Sequence, residues 1–183
     1  MRKIIVSMMV TLDGYFAGPD GEIDWHNVDA EFNDFAVDQL NHADTLIFGR
    51  LTYRMMAAYW PSLAALRDDP AVAAKMNSLE KLVFSRTLPA VEWNNSRLAR
   101  AGLPEEIAAL KKGSGKDALI FGSGSIVSAL AAAGLIDEYR LFVNPVVLGA
   151  GRTLFGDVGK RMEMKLLESR SFSSGNVLLR YIQ

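Results

Sequence analysis

The chain has 183 residues, half of them hydrophobic and 22% charged, and 20 basic side chains against 21 acidic ones leave a net charge of −1. That composition excludes a disordered chain and a strongly basic nucleic-acid binder. The absence of cysteine excludes disulfides, thiol nucleophiles and thiolate metal sites.

The length fits one domain, residues 1–183, with enough chain for a sizeable core. Met1-Arg2-Lys3 followed by Ile4–Val10 reads as a buried strand and not as a signal peptide. The apolar run is short, contains Ser7, lacks a small-residue cleavage site and leads into a turn at Asp13-Gly14. No apolar run reaches the roughly 18 residues that a membrane span needs. A cytoplasmic location is expected, with no membrane or nucleic-acid partner.

In chain order, Ile4–Val10 predicts the first strand, and Asp29–Asn41 predicts a helix with Phe32, Phe35, Ala36 and Leu40 on one apolar stripe. Thr45–Phe48 and Lys81–Phe84 predict further buried strands. The stretch from Leu63 to Ser78 has two readings: a helix started by Asp68-Asp69-Pro70, or a surface excursion. Pro104–Lys112 predicts a helix with Glu105 and Glu106 in its first turn, lysines in its last and Gly113 after it. Ala118–Phe121 and Tyr139–Val143 predict strands, separated by an Ala-rich helix over Ser125–Ala133 that closes at Gly134. Glu163–Phe172 and Val177–Ile182 flank Ser173-Ser174-Gly175-Asn176 and predict a hairpin. Alternating strands and helices imply an α/β fold: a mixed, mostly parallel sheet with helices on both faces and an antiparallel C-terminal hairpin.

Four strand ends share a chemistry. Thr11-Leu12-Asp13-Gly14-Tyr15, Phe48-Gly49-Arg50-Leu51-Thr52-Tyr53, Phe84-Ser85-Arg86-Thr87-Leu88 and Ile120-Phe121-Gly122-Ser123-Gly124-Ser125 each pass from apolar residues to Gly, Ser, Thr or Arg. Where strands run into helix starts, backbone N–H groups, hydroxyls and cations gather at one sheet edge and suit phosphate. The pattern is not a Rossmann fingerprint, because Val127 stands where the third glycine would fall.

These segments, with Leu135-Ile136-Asp137-Glu138-Tyr139, Asn144-Pro145-Val146-Val147-Leu148-Gly149, Gly151 and Leu154-Phe155, resemble the three-layer dihydrofolate-reductase-like fold. Within it the chain most resembles the riboflavin-biosynthesis reductase family, the C-terminal domain of the bifunctional deaminase-reductases. The resemblance covers about Lys3 to Ile182 and implies NADPH binding, a small-molecule substrate and a homodimer. It implies that Gly49, Arg50 and Thr52 hold the pyrophosphate, that Ser85 and Arg86 meet the ribose 2′-phosphate, and that Gly122, Ser123, Gly124 and Ser125 form a cofactor loop with a cis peptide at Gly122–Ser123. It implies that Asp13–Gly18 is a loop closing over the nicotinamide, where Asp13 either anchors the loop or touches a ligand. Pro145–Gly151 would lie near the cleft, as structural turn or as ligand contact.

The substrate side is less defined. Trp25, Tyr53 and Trp60 offer an aromatic face that suits either a planar heterocycle or core packing. Folate reduction needs an acid on the first helix, and the candidates are Asp24, Asp29, Glu31 and Asp34. Of these, Asp29 and Asp34 are the catalytic candidates, although Asp29 also suits a helix N-cap. Counting back from Gly49 places Asn33 where the folate enzymes carry their acid. His26 and His42 suit surface or capping roles, with no metal site, and the paired methionines suit core filling. The expected function is NADPH-dependent reduction of a small heterocycle, resembling 5-amino-6-(5-phosphoribosylamino)uracil reductase. The alternatives are a dihydrofolate-reductase-type activity and a non-catalytic nucleotide binder.

Overall fold

The computed structural model describes residues 2–183. In chain order the elements are β1 (Ile4–Thr11), β2 (Tyr15–Ala17), α1 (Ala30–Asn41), β3 (Ala43–Gly49), α2 (Arg50–Tyr59), α3 (Leu63–Asp68), α4 (Pro70–Ser78) and β4 (Glu80–Phe84). They continue with β5 (Ser96–Leu98), α5 (Leu103–Lys112), β6 (Asp117–Phe121), α6 (Gly124–Ala132), β7 (Glu138–Asn144), β8 (Arg152–Thr153), β9 (Lys165–Ser171) and β10 (Val177–Ile182). Eight strands form one sheet in the order β5-β4-β3-β6-β1-β7-β10-β9, and β2 and β8 form a separate ribbon. The pairs from β5 to β7 are parallel, and β10 runs antiparallel to both of its neighbours.

Alternation along β1 shows why the sheet needs cover on both faces. Ile4, Val6, Met8 and Val10 join the cluster made with Ile107 of α5 and Val127 and Leu130 of α6. Ile5 joins the opposite cluster, with Ala36 and Leu40 of α1, Tyr53 of α2 and Val72 and Met76 of α4. Successive side chains of a strand point to opposite faces, so a strand buried on both sides reads as an unbroken apolar run. The expected α/β architecture and the C-terminal hairpin are thus observed. Of the two readings of Leu63–Ser78 the helical one holds: α3 is capped by Ser62, and Pro70 opens α4. The ribbon and β5 are too short for a periodic signal, and composition did not announce them.

The charged side chain of Glu138 lies inside the sheet. Burial alone would raise its pKa, but Arg140 at 2.8 Å and Arg180 at 3.0 Å hold the carboxyl below its ordinary value. Among the described residues, no helix is long and apolar enough to cross a membrane.

Candidate active-site cleft

Parallel strands place their carboxyl ends at one edge, and β4, β3, β6 and β1 are consecutive neighbours. A cleft of about 1690 Å³ lies along that edge. An ordinary small-molecule site takes roughly 300–1,000 Å³, so this one has room for two ligands side by side.

One half is made of backbone. Gly49 is the N-cap of α2 and Ser123 the N-cap of α6, and neither end has a side-chain cap. In α6 the Ile126 amide turns back to the Ser123 carbonyl at 2.8 Å, which leaves the Gly124 and Ser125 N–H groups, with those of the first turn of α2, for a ligand at the positive end of each helix dipole. The two starts are stapled together: the Gly49 amide donates to Ser123 Oγ at 2.8 Å, and the Ser123 amide donates to Thr52 Oγ1 at 2.9 Å.

Between them the chain reverses through Gly122 at φ +59° and Ser123 at φ +58°. A left-handed serine costs energy and persists only where its surroundings fix it, here through both staple bonds. The expected cis peptide at Gly122–Ser123 is corrected: no described peptide is cis, and the two left-handed residues make the reversal. A Cβ on Gly122 would stand 2.9 Å from Thr52 Cγ2, so only glycine lets the two helix starts approach this closely.

Gly49, Arg50, Thr52, Ser85, Arg86, Gly122, Ser123, Gly124 and Ser125 all line the cleft. The local roles differ in detail. Ser85 Oγ accepts the amides of Thr87 at 3.1 Å and Leu88 at 2.9 Å, which builds the turn that carries the exposed Arg86. Phe16 of the β2–β8 ribbon packs on Gly124, and Arg152 of the same ribbon donates to the Pro19 carbonyl at 3.3 Å.

The other half is made of side chains from α1, the far end of α2, and α4. Asn33 on α1 donates through Nδ2 to Asp69 Oδ1 at 2.5 Å, and both residues line the cleft. Asp69 is the N-cap of α4 but makes no side-chain cap bond, so its carboxylate is turned to Asn33. Trp60 donates through Nε1 to Met56 Sδ at 3.1 Å, with Tyr59 edge-on at 5.0 Å. His26 also lines this half. Burial pushes its pKa down to about 4, so the imidazole is neutral near pH 7, and its Nε2 has no hydrogen-bond partner. This corrects the expectation of a surface or capping role; His42 does sit at the C-cap of α1, with Nδ1 2.8 Å from the Asp38 carbonyl.

Five expected residues lie away from the cleft wall. Tyr53 is buried, and its hydroxyl accepts the amides of Glu92 and Trp93 at 3.0 Å. Trp25 packs with the cluster of Met9, Phe142 and Phe172. Asp13 accepts Thr11 Oγ1 at 2.6 Å and the Gly149 amide at 2.8 Å, so it ties the loop after β1 to the Pro145–Gly151 turn. Asp29 caps α1 through the Phe32 amide at 2.8 Å and accepts Ser173 Oγ at 3.1 Å. Asp34 is exposed and outside the cleft. Conversely, Asp69 was missed: before a proline it signalled only a helix start, and its link to Asn33 spans 36 positions.

The fold and this cleft define a dihydrofolate-reductase-like α/β protein. The chain belongs to the RibD C-terminal domain family, which it matches over residues 2–178. It is 38% identical over 186 residues to the uncharacterized protein YyaP of Bacillus subtilis (strain 168), covering 98% of this chain and 94% of that one. A Shewanella sp. PV-4 structure assigned by name to riboflavin biosynthesis is 25% identical with a TM-score of 0.76, covering 98% of both chains. Two more distant structures share the fold. The deaminase/5-amino-6-(5-phosphoribosylamino)uracil reductase of Thermotoga maritima is 16% identical, with a TM-score of 0.69 and 99% and 56% of the two chains covered. Dihydrofolate reductase of Enterococcus faecalis, complexed with NADP(H), is 15% identical, with a TM-score of 0.63 and 98% and 95% covered.

Proposed function

We propose that this protein is an NADPH-dependent reductase of a small heterocyclic substrate. The observation that carries the reading is the meeting of two helix N-termini without side-chain caps over the Gly122–Ser123 reversal. Membership of the RibD C-terminal domain family supports it. So does the name of the Thermotoga relative in fold, which reduces a pyrimidine intermediate.

The cofactor's contribution, when bound, is a hydride at C4 of the nicotinamide. The protein's part is to bind, orient and exclude water. The free amides at the starts of α2 and α6 hold the pyrophosphate, and the narrow gap between Gly122 and Thr52 sets how closely the backbone approaches it. Arg86, raised on the Ser85 turn, pairs with the ribose 2′-phosphate and favours NADPH over NADH. The β2–β8 ribbon, packed on Gly124 through Phe16, shields the reacting centre.

The test is a titration with NADPH and, separately, NADH, following tryptophan quenching and energy transfer to the reduced nicotinamide. Micromolar NADPH binding is expected. Arg86→Ala should weaken it by about 10- to 100-fold, the range of a lost charge-assisted bond, and leave NADH nearly unchanged. Absence of saturable binding by either nucleotide would sink the reductase reading. NADPH binding without turnover across a panel of heterocycles would replace it with the non-catalytic binder.

A further inference from the structure

The two halves of the cleft differ in charge as well as in construction. Its basic side chains are Arg50, Arg86 and Arg152, and none of them stands on α1, the far end of α2 or α4. Arg50 opens α2 beside Gly49, Arg86 follows β4, and Arg152 sits on the ribbon packed against the start of α6. The opposite half presents Phe32, Met56, Trp60, Val72 and Met76, with no cation among them. A phosphate dianion brought into such a wall would lose its water and gain no counter-charge, which is strongly unfavourable.

Where α1 meets α4, the polar pair that faces the cleft offers acceptors. A carboxylate has only acceptors to offer Asn33, so the bond to Asp69 fixes the amide with Nδ2 toward the carboxylate and leaves Oδ1 free. Asp69 in turn keeps Oδ2 without a protein partner among the described residues, because Asp69 is not used to cap α4. Two acceptors held together on neighbouring helices match a planar ring that carries adjacent N–H donors.

We infer that the substrate half takes a planar, phosphate-free nitrogen heterocycle whose N–H donors are read by the Asp69–Asn33 pair. The inference rests on the reductase reading for what fills the other half. It separates this chain's substrate from the phosphoribosylated uracil in the Thermotoga relative's name. Asp69 is a binding and specificity residue in this scheme.

Calorimetry with 2,4-diaminopyrimidine and with uridine 5′-monophosphate, on the protein alone and saturated with NADPH, tests it. The diaminopyrimidine should bind in both states, and the nucleotide monophosphate should not displace it. Asp69→Asn should weaken the diaminopyrimidine about tenfold or more, as expected for loss of a charged acceptor. Asn33→Ala should weaken it less, and both variants should keep the parent's melting temperature within a few degrees and its NADPH affinity. Displacement by uridine 5′-monophosphate, or diaminopyrimidine binding within twofold of the parent in Asp69→Asn, overturns the inference. The NADPH arm keeps the two readings apart. Diaminopyrimidine binding without NADPH binding removes the reductase and supports this site. NADPH binding without diaminopyrimidine binding does the reverse.

Discussion

The two halves of the cleft are built in opposite ways. Around Gly49 and Gly122 the ligand-facing groups are backbone amides, and side chains such as Ser123 and Thr52 hold the backbone in place. Around Asn33 and Asp69 the groups that face the ligand are side chains. A backbone-built site depends on φ angles and on missing Cβ atoms, so it tolerates few changes. A side-chain site can be redrawn residue by residue on the same helices, which lets one fold serve different substrates.

The largest effect should come from testing that contrast at glycine. Gly122 and Gly134 are both left-handed, at φ +59° and +67°, but a Cβ on Gly134 meets nothing within 4 Å. Alanine costs about 1–2 kcal/mol of backbone strain at either position. At Gly122 it must also push Thr52 away from the Ser123 amide. Gly122→Ala should therefore weaken NADPH about a hundredfold or more, while Gly134→Ala lowers thermal stability and leaves affinity alone; the figure corresponds to roughly 3 kcal/mol. Equal NADPH affinities in the two variants would mean that the close approach of the helix starts is not what binds.

The same division governs what the sequence revealed. The backbone-built half was legible residue by residue, because glycine, serine and arginine at strand ends carry their constraint in a short window. The side-chain half was not, because it is assembled across distance: Asn33 meets Asp69 only when α1 packs on α4. Aromatic type misled in the same way. Tyr53 and Trp60 are seven positions apart on one helical run, yet Tyr53 turns into the core and Trp60 into the cleft. The architecture followed from apolar runs buried on both faces, whereas the two-residue β8 offered no pattern to find.

The next effect belongs to the side-chain half and depends on pH. His26 has an ordinary pKa of 6.5 and is pushed down to about 4 by burial. Between these values the unfolded chain takes up a proton that the folded chain refuses. Stability contributed by this group is full above pH 6.5 and is lost as pH falls toward 4. The full span corresponds to about 3 kcal/mol at most, with less expected because the ring keeps some contact with water. Denaturant midpoints from pH 7 to 4 should fall in the parent and fall less steeply in His26→Gln. Parallel slopes would show that the ring titrates normally.

Tyr53→Phe marks the boundary from the other side. The hydroxyl accepts two backbone amides, and its removal leaves both without that partner. A loss of about 2 kcal/mol in urea unfolding is expected, with unchanged affinity for 2,4-diaminopyrimidine. A selective loss of ligand affinity would return Tyr53 to the substrate wall.

The smallest energetic effect should come at Trp60, which separates the halves optically. Its indole N–H reaches a thioether, a weak acceptor, so Trp60→Phe should cost under about 1 kcal/mol of stability. The other two tryptophans stand off the cleft: Trp25 packs on the hairpin cluster, and Trp93 stacks near Phe48 under the Lys81 ammonium. Quenching by 2,4-diaminopyrimidine must then come almost entirely from Trp60, and the phenylalanine variant should lose it while calorimetry still records binding. Quenching that survives the substitution would move the heterocycle toward Trp25, and with it the border between the wall that reads substrate and the core that only supports it.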